Sequence, residues 1–204
     1  MLGGRLGYVL FYNFNYYFSN PIEIIMINKG GMSFHGGLIG TIIATYLFTK
    51  RRKIPFFQLA DMGVLAGSLG LGFGRIGNFI NAELYGRVTS PDFPLAMVFP
   101  NAGPEPRHPS QLYESFFEGF LMFVILYFLS RKNLKEGTLF GTFIMLYGLF
   151  RFFIEYTRQP DAHLNFVFMN FSMGQVLCFP MILIGLFIII FVYKKNNSSL
   201  VNIK

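Results

Sequence analysis

Residues 173–193 read MGQVLCFPMILIGLFIIIFVY and are followed at once by Lys194 and Lys195. The run carries no charge, and a helix needs about 20 apolar residues to cross the hydrocarbon core of a bilayer. Pro180 marks a point where such a helix can kink. Working outward, five further apolar segments lie near 3–18, 36–49, 57–74, 112–130 and 138–155. The first of these contains Asn13 and Asn15. The pattern predicts an all-α, polytopic transmembrane helix bundle of about six helices, with residues 1–204 forming a single integral membrane domain.

Bulk composition agrees with that reading. Of 204 residues, 53% are hydrophobic and 13% charged, with 27 Phe and no Trp. Soluble domains average about 25% charged residues. A water-soluble chain of this length cannot bury so much apolar surface, whereas lipid tails solvate it directly. The one cysteine, Cys178, excludes an intramolecular disulfide and a Cys-rich metal site and reads as a small buried hydrophobe. The start, Met1-Leu-Gly-Gly-Arg5, does not have the pattern of a cleavable signal peptide.

The formal net charge is +7, and its distribution speaks for topology rather than for nucleic acid. If every segment spans, Lys50, Arg51, Arg52, Lys53, Arg131, Lys132, Lys135, Lys194, Lys195 and Lys204 fall on one side. Lys29, Arg75, Arg87, Arg107 and Arg158 fall on the other, and Arg5 and Arg151 lie within segments. The positive-inside rule makes the richer side cytoplasmic. The longest connection, 75–111, is then external; with six prolines between Pro91 and Pro109 it reads as an ordered extracytoplasmic cap. The pairs Gly36/Gly40, Gly63/Gly67 and Gly70/Gly74 have the G-x-x-x-G spacing that lets helices approach closely in lipid.

Three constellations could carry chemistry. Gly72-Phe-Gly-Arg-Ile-Gly77 matches G-x-G-x-x-G, but a dinucleotide site needs a preceding strand and a βαβ unit, and an apolar membrane segment stands there instead. The richer signal is Gly74-Arg-Ile-Gly-Asn-Phe-Ile-Asn-Ala-Glu-Leu-Tyr-Gly-Arg87, which sets Arg75, Asn78, Asn81, Glu83 and Arg87 at the membrane boundary. Ionisable groups are costly in lipid and tend to mark function there; snorkelling arginines and a structural Arg–Glu pair are the plainer alternative. A second stripe, Tyr147, Arg151, Glu155 and Arg158, has offsets of four, four and three, predicting one helix face. It can be an i,i+4 salt bridge that neutralises charge. Arg151 cannot escape burial by deprotonation, so it needs a polar cavity or a partner. Third is Ser33-Phe-His-Gly-Gly37, where His35 is either a proton acceptor near neutral pH or a structural hydrogen-bonding histidine. His108 and His163 lie on loops, and the three histidines are too scattered for a metal site. Arginine's planar fork suits phosphate, so a cavity lined by Arg and open to the bilayer points to a phospholipid headgroup.

At these residues the chain resembles the prolipoprotein diacylglyceryl transferase family. The resemblance is carried by Gly74 to Arg87, by Met32-Ser-Phe-His-Gly-Gly-Leu-Ile-Gly40, by His108-Pro-Ser-Gln-Leu-Tyr-Glu114, and by Tyr147-Gly-Leu-Phe-Arg-Phe-Phe-Ile-Glu-Tyr-Thr-Arg-Gln-Pro-Asp161. Two departures stand out. Ala82 occupies a position where the family usually has glycine. Met1-Leu-Gly-Gly-Arg-Leu-Gly-Tyr8 resembles the family's second membrane segment, so the expectation is that the family's first helix is lacking, giving six in place of seven.

The resemblance implies transfer of the diacylglyceryl group of phosphatidylglycerol to the lipobox cysteine of a prolipoprotein signal peptide. A thioether forms and glycerol phosphate leaves, at the outer leaflet of the bacterial cytoplasmic (inner) membrane. It implies no cofactor, metal or nucleic acid, and a monomer is expected. As expectations, Arg75 and Arg151 bind the phosphate and stabilise its departure, His35 or a neighbour accepts the thiol proton, and Tyr147 hydrogen-bonds lipid or thiol. Asn78, Asn81, Glu83 and Gly86 shape the headgroup site, and Glu155 and Arg158 orient the arginine stripe and meet the signal peptide as substrate-binding residues. A lipid transporter would also gather arginines at a headgroup site but often shows internal repeats, and none is visible here; a non-catalytic lipid-binding protein is the other rival.

Overall fold

The computed structural model describes residues 1–12, 14–26, 30–31, 33–159 and 172–201, with side chains described for all of these except 11, 12, 34, 35, 173 and 195–201. The described residues are helical, joined by loops with only isolated β-bridges. They divide into two compact units, Met1–Leu59 and Ala60–Lys204.

In the first unit, α1 (Leu2–Tyr12) packs on α3 (Phe34–Arg52), with the short α2 (Phe14–Ser19) between them in sequence. The contact is made of glycine. A Cβ on Gly7 would lie 2.6 Å from the Gly36 Cα, and one on Gly3 would lie 2.8 Å from the Gly40 Cα. The G-x-x-x-G spacing at Gly36/Gly40 thus does what small residues do between membrane helices. Arg5, 2% exposed, explains itself here: Nε donates to the Ile24 carbonyl at 2.9 Å, and the other donors reach the carbonyls of Glu23, Gly30 and Gly31. The charge is neutralised by backbone dipoles, and the guanidinium lies 5.0 Å from the Tyr17 ring centre. Ser33 caps α3 by accepting from the Gly36 N–H at 3.3 Å. Left-handed Lys53 (φ 55°) ends the helix.

The second unit contains α4 (Phe56–Ile80) from Ala60 onward, a continuous helix from Ser110 to Ser130, α7 (Thr138–Ile154) and α8 (Met173–Val201). The Ser110–Ser130 helix is α-helical at its ends (α5, Ser110–Glu114; α6, Met122–Ser130) and π-helical over Ser115–Leu121. Among the described residues, three helices are long and apolar enough to cross a membrane: Phe56–Ile80, Ser110–Ser130 and Gly174–Lys194; Thr138–Ile154 is a shorter apolar helix. The protein is therefore a helical membrane bundle. Leu183 and Phe187 on α8 are each 65% exposed, a surface that lipid solvates and water does not.

Val64, Met122, Leu126 and Leu139 form the core of this unit. α7 and α8 meet at glycines: a Cβ on Gly185 would lie 2.6 Å from the Gly141 carbonyl oxygen. Where α4 meets the π-helical turn, Gly72 faces Gly119. A Cβ on Gly63, Gly67, Gly70 or Gly74 would meet no described atom within 4 Å. The close approach on α4 uses Gly72 instead. Asp61 ties α4 to α7, accepting the N–H groups of Gly137 and Phe140 at 2.7 Å each and so capping the α7 N-terminus. Cys178 is buried, its thiol donating to the Gly174 carbonyl at 3.0 Å.

Candidate active site

α4 ends in the signature 74–87. The turn that follows is built on two non-glycine residues in the left-handed region, Ala82 (φ 52°) and Leu84 (φ 55°). The start of the Ser110–Ser130 helix holds that turn: the Gln111 side chain donates to the Glu83 carbonyl at 2.7 Å, and the Ser110 hydroxyl to the Leu84 carbonyl at 3.2 Å. Gly86 pairs antiparallel with Arg158. A Cβ on Gly86 would lie 2.5 Å from the carbonyl oxygens of both His108 and Thr157, so only glycine fits.

This framework gathers charge around one carboxylate. Glu114, 1% exposed, takes Arg75 Nε at 2.7 Å and Arg151 Nη1 at 3.1 Å on Oε2, and Arg158 Nη1 at 3.4 Å on Oε1. Arg151 also reaches Glu155 at 3.2 Å, one turn on, and Glu118 at 3.6 Å. Glu118 is wholly buried, and neither carboxylate oxygen has a hydrogen-bond donor among the described residues. The Ser172 hydroxyl donates to Glu155 Oε1 at 3.0 Å. Three guanidiniums and three carboxylates thus interlock where α4, α7 and the Ser110–Ser130 helix converge. Partnered charges of this kind are the affordable form of ionisation at membrane depth.

Of the residues picked out in the sequence, Arg75, Arg151, Glu155 and Arg158 come together. Arg158 does so by another route than a helix face: α7 stops at Ile154, and Arg158 arrives in extended backbone paired with Gly86. Asn78 joins through Arg75 Nη1 at 3.4 Å and passes the link on to Glu83 Oε1 at 2.7 Å. Asn81 is exposed, and its backbone N–H closes the end of α4 on Gly77. Tyr147 lies one turn before Arg151, stacked on Phe143, and the charges acting on it are Glu118, Arg151, Arg75 and Glu114. The side chain of His35, and His163 altogether, lie outside the described residues. His108 packs against Phe93 at 4.7 Å between ring centres, and partial burial lowers its pKa below the usual histidine value.

Sequence reasoning missed Glu114 and Glu118 as members of the cluster. The signal was present: two acids four apart opening an apolar segment are too costly to be idle.

The motifs that meet in this cluster lie within the span matched by a known family model. The model described as prolipoprotein diacylglyceryl transferase matches residues 1–191. The chain belongs to the prolipoprotein diacylglyceryl transferase family. It is 52% identical over 196 residues to a protein of Geobacter sulfurreducens named phosphatidylglycerol–prolipoprotein diacylglyceryl transferase, covering 96% of this chain and 75% of that protein. Proteins of the same name from Shewanella oneidensis (53% over 190 residues; 93% and 70% covered) and Pseudomonas paraeruginosa (51% over 200 residues; 98% and 74%) are similarly related. The prolipoprotein diacylglyceryl transferase motifs at 74–87 and 108–114, and the part of 147–161 up to Arg158, all touch the Glu114 cluster.

Proposed function

We propose that this family member transfers the diacylglyceryl group of phosphatidylglycerol to the lipobox cysteine of prolipoproteins. The supporting observation is the gathering of Arg75, Arg151 and Arg158 on the single buried carboxylate of Glu114. The cysteine sulfur attacks the carbon of the diacylglyceryl group that carries the phosphate. The C–O bond breaks with its electron pair going to the phosphate oxygen, a C–S bond forms, and the thiol proton passes to a base. Glycerol phosphate leaves.

The roles follow from residue chemistry and the family motifs. Arg75 and Arg151 bind the phosphate and stabilise the charge that grows on the leaving oxygen, work suited to preorganised cations. Each guanidinium has five N–H donors, more than its carboxylate contacts occupy. His35 or a neighbour takes the thiol proton, since a free thiol with pKa near about 8.5 needs help to form thiolate. Tyr147 hydrogen-bonds lipid or thiol. Asn78, Asn81, Glu83 and Gly86 shape the headgroup site, and Glu155 and Arg158 orient the arginines. The setting is the bacterial cytoplasmic membrane, multi-pass, with the site toward the outer leaflet. The chain works as a monomer and one integral membrane domain, 1–204, with 75–111 as an extracytoplasmic cap.

The deciding experiment measures glycerol phosphate release from phosphatidylglycerol liposomes containing the protein and a lipobox peptide. Release with the cysteine peptide and none with its serine analogue is expected. Phosphatidylglycerol binding without release would point to a non-catalytic lipid-binding protein and overturn the reading.

A further inference from the structure

Among the described residues, Glu114 is the one carboxylate shared by arginines from three separate segments: Arg75 on α4, Arg151 on α7, and Arg158 beyond the turn that follows α7. At 1% exposure it offers no face to a substrate. Its backbone is pinned on both sides. Ser110 and Gln111 hold the turn at Leu84 and Glu83, and the Ser115 hydroxyl donates to the Gly72 carbonyl at 2.9 Å. The π-helical turn begins immediately after it, at Ser115. Such turns occur often at functional sites, where the extra residue re-aims neighbouring side chains.

We propose that Glu114 is the positioning residue of the arginine cluster, setting the spacing of three guanidiniums whose remaining N–H groups engage the phosphate; the proposal rests on the transferase reading above. Three like charges drawn together in a medium of low dielectric repel one another strongly. One buried carboxylate bonded to all three offsets that repulsion and fixes where each cation sits. Arg151 has Glu155 and Glu118 to fall back on, and Arg75 has Asn78. Without the Glu114 charge Arg151 and Arg75 relax toward those partners and the shared geometry is lost.

This predicts a split between binding and turnover. Glu114→Gln keeps the shape and removes one negative charge beside the arginines, so an anionic lipid binds at least as well. Misplacement of the guanidiniums by about 1 Å lowers turnover about 100-fold. The test uses the full chain in liposomes of phosphatidylglycerol diluted in phosphatidylcholine. It reads kcat and KM for glycerol phosphate release, and equilibrium binding of fluorescent phosphatidylglycerol. For Glu114→Gln, kcat falls about 100-fold with KM unchanged or lower, and Glu114→Asp, which keeps the charge, recovers part of the loss. Wild-type kcat in folded Glu114→Gln, or weaker lipid binding by it, overturns the proposal. Should Glu114→Gln fail to fold, Glu114→Asp is judged alone, and a drop in kcat at constant KM is required of it. If the wild-type protein releases no glycerol phosphate, the transferase reading falls, and binding alone judges Glu114: Glu114→Gln must then bind phosphatidylglycerol no more weakly than wild type.

Discussion

Arg87 donates from Nε to the carbonyl oxygen of Arg158 at 2.7 Å, across a sequence separation of 71 residues. A second bond, from the Arg87 backbone N–H to the Thr157 carbonyl at 2.9 Å, runs beside it. The signature after α4 therefore holds the segment that delivers Arg158 to Glu114. Hydrogen bonds from charged donors contribute about 1.5–3 kcal/mol each. Arg87→Ala is expected to lower the melting temperature and to reduce turnover about tenfold by loosening Arg158, about 1.4 kcal/mol in the barrier. Full activity in that variant would show that Arg158 is positioned without it.

Arg151 serves three carboxylates at once, Glu114, Glu118 and Glu155, through a planar fork. Lysine is a point charge and cannot span them. Arg151→Lys should remain folded and lose at least about 100-fold in glycerol phosphate release. Arg151→Ala strands buried carboxylates, a change that costs about 3–5 kcal/mol in buried ion pairs. Thermal unfolding in detergent separates the two, with the alanine variant melting well below the lysine variant.

Gly86→Ala brings a methyl group against two carbonyl oxygens, those of His108 and Thr157, each 2.5 Å away. Both are backbone, so neither can swing aside. The pairing of Gly86 with Arg158 has to open, and Arg158 moves off Glu114. Activity is expected to fall far more than stability. Equal losses in both would mean that the bridge is only structural.

Asp61 lies far along α4 from the arginine cluster and supplies two hydrogen bonds to the α7 N-terminus. Removing a capping side chain costs about 1–2 kcal/mol. Asp61→Ala should lower the melting temperature while leaving turnover per folded molecule unchanged. A kinetic defect in the folded fraction would contradict a purely capping role.

Ala82 adopts φ 52° in the turn after α4. The left-handed region costs a non-glycine residue about 1 kcal/mol, a cost glycine does not bear. Ala82→Gly is expected to raise the melting temperature by a few degrees without loss of activity. A lowered melting temperature would show that the turn gains more from the methyl group than it loses in backbone strain.

The helices were legible because apolar runs announce themselves by composition: each apolar segment read in the sequence holds helix, and among the described residues three of these helices are long and apolar enough to cross a membrane. The Tyr147/Arg151/Glu155 stripe was legible because a helical offset of four is a local property. What could not be read there depends on contacts between distant segments. Glu114 and Glu118 look like errors in an apolar run until Arg75 and Arg151 arrive from elsewhere. Arg158 fits a helical offset from Glu155, yet the chain has already left the helix, and pairing with Gly86 brings it back. The glycines of α4 show the same limit, since spacing alone could not choose Gly72 over its four neighbours.

The interlocked charges also constrain how the protein is made. The Ser110–Ser130 helix carries Glu114 and Glu118 into the bilayer, yet Arg151, which answers both, lies 37 residues after Glu114. A lone charge at the centre of an inserting helix costs about 2.5–3.5 kcal/mol. Joining Arg151 to Glu114 and Glu118 before either helix faces lipid avoids that cost.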